Sequence, residues 1–101
     1  MPGTIQGIAE NRSVFLDGNL LSPNYSQSVY NHSPDGFNWG YGGSGPSQLA
    51  LAIMLEFVSV EDARSLYQDF KFDVISKLPM DKDFEIDMEK VEEWIKNHKK
   101  E

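Results

Sequence analysis

The residues whose types and spacing could do chemistry gather in one stretch, Asn31-His32-Ser33-Pro34-Asp35-Gly36-Phe37-Asn38-Trp39-Gly40-Tyr41-Gly42-Gly43-Ser44-Gly45-Pro46-Ser47-Gln48, which holds five of the eight glycines of a 101-residue chain. Glycines let backbone amides approach a ligand closely. A helix start leaves free N–H groups with positive partial charge, so a loop of this composition running into a helix can cradle phosphate or carboxylate. Asn31, His32, Asp35, Asn38, Trp39, Tyr41, Gly42, Gly43, Ser44 and Gln48 are the candidate contacts for a ligand or partner. Against this stands a purely structural reading, in which the loop folds back tightly and caps a helix.

Motif tests narrow the chemistry. Gly40 to Gly45 matches the glycine spacing of a dinucleotide loop, but no buried parallel strand precedes it, and no Gly-Lys-Ser/Thr follows for a phosphate loop of the other kind. A hydrolase elbow fails because Pro46 stands where Gly is required two residues after Ser44. Phe37, Trp39 and Tyr41 alternate, either as a strand with one buried face or as aromatic walls around a ligand. His98 falls in a terminal helix beside Lys99 and Lys100 and reads as solvated. Asp69 with Asp73, and Glu89 with Glu93, share helix faces at i, i+4 without a histidine partner, so no metal and no cofactor are expected. Three Asn-X-Ser sequons, at Asn11, Asn24 and Asn31, are read as accidents of a Ser- and Asn-rich chain.

The elements that must position these residues suggest an α+β fold in one domain spanning 1–101. Short β-type runs at Thr4–Ala9, Ser13–Leu16 and Gln27–Tyr30, with Asp17-Gly18 as a hairpin dipeptide, predict a small N-terminal antiparallel meander. A Gly-rich loop and three helices follow. The first has Gly45 as N-cap, Pro46 at its first position and Gln48 at the capping-box place; Leu49 to Leu55 are apolar on every side, which predicts a buried core helix ending near Val58. The second opens at Ser59 and Asp62, carries Ala63, Leu66, Tyr67, Phe70, Val74 and Leu78 on one stripe, and stops at Pro79. The third begins after Asp87 with Met88, Val91, Trp94 and Ile95 inward.

Composition sets further bounds. Sixteen acids against nine bases give a net charge of −7, which opposes direct nucleic-acid binding. The charges are uneven: residues 1–54 hold only Glu10, Arg12, Asp17 and Asp35. No cysteine is present, so disulfides, thiolate metal sites and a cysteine nucleophile are excluded. The N-terminus has no secretory pattern and no run approaches the roughly 20 apolar residues of a membrane span, so a cytoplasmic protein is expected. An apolar helix and Trp94 on an outer helix suggest a homodimer.

From Asn31 to Met54 the chain resembles a family of small uncharacterised proteins of bacteria, phages and other mobile elements, whose hallmark is close to NHSPxGFxWGYGGSGPxQLALA. Val14 to Gly18, Leu66 to Lys71 and Leu78-Pro79 are similar to its weaker flanking blocks. The resemblance implies a functional locus and a mobile-element setting without a reaction. Members often carry Glu before the Trp, where this chain has Asn38; were that Glu catalytic, its chemistry would be lost here. The leading expectation is a non-enzymatic binding module using residues 31–48 against a small anionic ligand or a protein, one version being inhibition of a host defence complex. The alternative is an enzyme acting on an anionic small molecule held near residues 42–48, with His32 and Asp35 as acid and base. At least one of Gly40, Gly42, Gly43 and Gly45 is expected to have positive φ.

Overall fold

A computed structural model describes residues 3–99. Strand β1 (Thr4–Ile8) pairs antiparallel with β2 (Ser13–Leu16), and β2 with the two-residue β3 (Asn19–Leu20). The β2–β3 turn is Asp17-Gly18 with φ of 52° and 82°, the pair of left-handed residues that a primed hairpin turn demands. A fourth strand, β4 (Phe84–Asp87), closes the other edge by pairing with β1, giving the order β3-β2-β1-β4. In β1, β2 and β4 one face points inward: Ile5 and Gly7 on β1, Val14 on β2 and Phe84 on β4 are buried, while Gln6 and Glu85 are exposed, as are both residues of β3. This is the period-2 pattern of a sheet covered on one side.

The cover is helix α2 (Ser44–Phe57), in which Leu49, Ala50, Leu51, Ala52, Ile53 and Met54 are all at most 3% exposed. A helix apolar on every side requires neighbours on every side, and α2 has them. Helices α1 (Asn24–Val29) and α3 (Val60–Asp73) and the turn at Ile75–Lys77 pack against it, and one cluster of buried side chains joins these to the sheet and to α4 (Met88–His98). Each fully buried Leu or Ile there contributes about 1.5–3 kcal/mol relative to exposure. Ser59 caps α3 by accepting from the Asp62 N–H, and Asp87 caps α4 by accepting from the Glu89 N–H, each cap contributing roughly 1 kcal/mol.

Four sequence expectations are corrected. Gln27–Tyr30 is not a strand; Asn24–Val29 is a short helix, bringing the helices to four. Its Ser26 donates to the Pro23 carbonyl and is itself held from α2, so a long-range bond overrides the local β preference of Val29 and Tyr30. The third strand is instead Asn19–Leu20. Helix α2 starts at Ser44 with Gly43 as N-cap, which places Pro46 at the third helical position. Proline is tolerated there because the first-turn N–H groups have no intrahelical acceptor. Helix α3 stops at Asp73, and Ile75–Lys77 form a 3₁₀ turn instead of carrying the helix to Pro79. Strand β4 was hidden in an acidic run, its Phe84 and Ile86 alternating with Glu85 and Asp87.

Candidate functional site

Gln48, in the second turn of α2 and fully buried, uses all the hydrogen-bonding capacity of its amide. Its Oε1 accepts from the N–H of His32 (2.7 Å) and of Ser33 (2.9 Å), and its Nε2 donates to Ser26 Oγ (2.9 Å) and the Tyr30 carbonyl (3.1 Å). A single side chain thereby ties α1 and the start of the loop to the core helix. A second bond in the same place runs from Gln27 Nε2 to the Ser33 carbonyl at 2.8 Å. Each bond stabilises by about 1 kcal/mol net, but stranding its partners costs more. Gln48 is therefore a lock with no group left for a ligand.

Trp39 is equally committed. It is fully buried, meets Phe84 edge-on at 4.7 Å between centroids, and donates Nε1 to the Lys82 carbonyl at 3.2 Å. The Arg12 guanidinium lies 4.5 Å above its ring. Asn38 Oδ1 accepts from the Trp39 N–H at 2.9 Å. Gly40 then turns the chain with φ of 88° and donates to the Ile75 carbonyl at 3.0 Å. A Cβ there would come within 2.5 Å of the Met80 backbone, so the position excludes any side chain twice over. Of Gly40, Gly42, Gly43 and Gly45, Gly40 is the one with positive φ. The turn also breaks the aromatic alternation: Phe37 and Trp39 are buried, while Tyr41 emerges 40% exposed.

Beyond the turn lies an outer rim. His32 Nε2 is 2.6 Å from the Tyr67 hydroxyl, and its ring stacks on Tyr30 at 4.3 Å. Burial first, and the nearby Lys71 ammonium second, hold the His32 pKa below its ordinary value, so the ring favours its neutral form. Lys71 is only 6% exposed, yet among the described residues it has no carboxylate partner. Its Nζ donates to the Gly42 carbonyl at 3.2 Å and sits 4.1 Å over the Phe72 ring. One residue further on, α2 begins without a side-chain cap and without an acid in its first turn. Among the described residues, the N–H groups of Ser44 and Gly45 have no acceptor. A buried ammonium beside an uncapped helix start makes this rim electropositive on an acidic molecule.

The remaining sequence candidates divide between these surroundings. Gly42, Gly43 and Ser44 belong to the rim, and Asn31 is exposed next to His32. Asp35 instead lines a cavity with Arg12 and Phe37 that does not include His32. The two groups named as acid and base thus serve different places. Lys71 was not anticipated, although Tyr67 and Lys71 sit four residues apart on α3 and so share a face. Arg12 was missed as well; its φ of 58° in the β1–β2 turn leaves no mark in sequence.

His98 is exposed, as expected, but also engaged. Its ring stacks on Trp94 at 4.1 Å, its Nδ1 lies 2.8 Å from the Trp94 carbonyl and its Nε2 lies 3.4 Å from Asp73 Oδ2. Trp94 donates to the same carboxylate at 3.0 Å and meets Phe70 edge-on at 5.0 Å. Trp94 therefore packs within its own chain, which withdraws one support for a dimer.

A four-stranded antiparallel sheet covered by a buried helix, with a locked glycine-rich loop at that helix's N-terminus, defines a small α+β protein. Residues 5–97 match the family of unknown function DUF6166, and the chain belongs to that family. No curated protein and no solved structure matches it. Among the described residues, no helix is long and apolar enough to cross a membrane.

Proposed function

We propose that this chain is a non-enzymatic binding module whose recognition face is the outer rim of the 31–48 loop, and that the rim takes a small anionic group, free or displayed on a partner protein. The observation that carries this reading is Lys71: a residue only 6% exposed, whose ammonium has no carboxylate partner among the described residues and donates to the Gly42 carbonyl beside the uncapped start of α2. Burying a cation without a counter-charge costs stability, and an arriving anion offsets that cost. Tyr41 and Phe72, 40% and 55% exposed, flank the place and give it apolar walls. The catalytic alternative draws no comparable support, because His32 and Asp35 do not converge. A phage or mobile-element setting, with inhibition of a host complex as one form, rests on the sequence resemblance alone.

Calorimetric titration with inorganic phosphate and pyrophosphate tests the reading. The parent chain is expected to give a saturable isotherm that Lys71→Met loses, while the melting temperature holds or rises, since an apolar side chain of similar length replaces an unpaired buried charge. Equal isotherms from parent and variant, or none from the parent, would sink the proposal.

A further inference from the structure

The two edges of the sheet differ. Strand β3 is two residues long, whereas β4 holds an unbroken register with β1 from Thr4↔Asp87 to Gly7↔Phe84, and the Met88 N–H extends it by donating to the Gly3 carbonyl at 3.0 Å. Bonded and non-bonded pairs alternate along an antiparallel ladder. Phe84, Ile86 and Met88 therefore carry the bonds to β1, while the N–H and carbonyl of Glu85 and the N–H of Asp87 point away from it. Among the described residues those groups find no partner elsewhere. An open edge of this kind is a template for another strand. Proteins commonly guard such an edge with proline, a bulge or an inward-pointing charge, and β4 has none of these.

The side chains along this edge state what the added strand must carry. From Asp81 to Glu89 every second residue is acidic, and Asp81, Asp83, Glu85, Asp87 and Glu89 are all exposed. Within β4 that spacing puts Glu85 and Asp87 on the outer face, with buried Phe84 and half-buried Ile86 on the inner one. None of the five acids forms an ion pair with a described residue; Glu85 takes only a long bond from Gln6 Nε2 at 3.4 Å. We infer that β4 is the docking edge for an extended segment of a partner protein in which basic residues alternate with apolar ones. Added antiparallel, that segment sets its basic side chains against Glu85 and Asp87 and its apolar ones beside Phe84 and Ile86, and its backbone takes up the free groups of Glu85. A second copy of this chain is the wrong occupant. Pairing β4 with itself sets carboxylates opposite carboxylates in every register that keeps Phe84 and Ile86 on the inner face, which destabilises the pair. The edge shares no residue with the 31–48 loop and does not depend on the anion reading of its rim.

The test is a titration of the ¹⁵N-labelled chain, at low ionic strength, with a short peptide alternating lysine and valine and with its glutamate-and-valine counterpart. A third probe is the lysine peptide N-methylated at its lysines, which lacks the N–H that the Glu85 carbonyl would accept. The lysine peptide is expected to shift the Glu85 and Asp87 amides saturably and to slow hydrogen exchange at the Glu85 N–H, a signature that attraction between charges alone does not give. The N-methylated peptide is expected to bind about tenfold or more weakly, and the glutamate peptide not to bind. Glu85→Lys turns an opposed pair into a like one; it is expected to melt like the parent and to lose about tenfold in affinity for the lysine peptide. Absence of shifts at Glu85 with the lysine peptide, equal binding of the N-methylated or the glutamate peptide, or unchanged affinity in Glu85→Lys would each overturn the inference. A parent chain already dimeric by light scattering, with its Glu85 amide protected, would place a second copy on the edge and overturn it too.

Discussion

The two halves of the 31–48 segment solve opposite problems with similar residues. Phe37, Trp39, Gly40 and Gln48 face inward, where the Gln48 amide, the Trp39 indole N–H and the Gly40 N–H all find partners and a missing Cβ allows the Met80 backbone to approach. Tyr41, Gly42, Gly43 and Ser44 face outward, where, among the described residues, the Lys71 ammonium lacks a counter-charge and helix N–H groups lack acceptors. The division falls at Gly40, whose positive φ reverses the chain. Composition alone cannot tell a lock from a binding edge, because glycine and aromatic residues serve both; what separates them is whether hydrogen-bonding capacity is used up.

The largest effect that can break this comparison belongs to Gln48. Replacing it with leucine strands the N–H groups of His32 and Ser33 and the Tyr30 carbonyl, and is expected to cost about 3 kcal/mol, read as a lower urea midpoint at unchanged m-value. A loss below about 1 kcal/mol would mean that water replaces the lock without penalty.

Next comes Gly40→Ala, expected to cost about 2 kcal/mol from the left-handed backbone together with the collision at Met80. Gly42→Ala sharpens the contrast. The new Cβ would lie 3.7 Å from Phe72, an ordinary contact, and φ is not in the left-handed region, so stability should change by less than about 0.5 kcal/mol. Equal melting shifts for the two variants would erase the boundary drawn at Gly40.

The smallest effect is a pH dependence at His32. Its lowered pKa means that the unfolded chain takes up a proton that the native chain resists. The contribution is therefore complete above about pH 6.5 and declines as pH falls through that value toward the native pKa. Urea midpoints between pH 7.5 and 5.5 should fall less steeply in His32→Gln than in the parent. Parallel slopes would show that burial and Lys71 do not act on this ring.

How much of this was legible in the sequence follows from the range of the forces involved. The apolar run from Leu49 to Met54 announced a buried helix, Ser59 and Asp87 announced caps, and Asp17-Gly18 announced a hairpin, because each signal is local. Strand β4 was not legible, since its partner β1 lies some 80 residues away in the chain and four residues, two apolar and two acidic, carry little signal alone. The α1 helix was misread because Gln48, far along the chain, determines it through Ser26 and Tyr30. The loop itself was recognised as the special place, but its internal division depends on Lys71 and Met80, which enter from other elements.

Native-state amide hydrogen exchange tests that division most directly, reading both halves in one experiment. The N–H groups of His32, Ser33 and Gly40 have Gln48 Oε1 and the Ile75 carbonyl as acceptors and are expected to exchange only through near-global unfolding. Those of Tyr41, Gly42 and Ser44 have no acceptor among the described residues and should exchange orders of magnitude faster. Uniform protection across residues 32–44, whether fast or slow, would contradict the separation of lock from rim on which the proposed function depends.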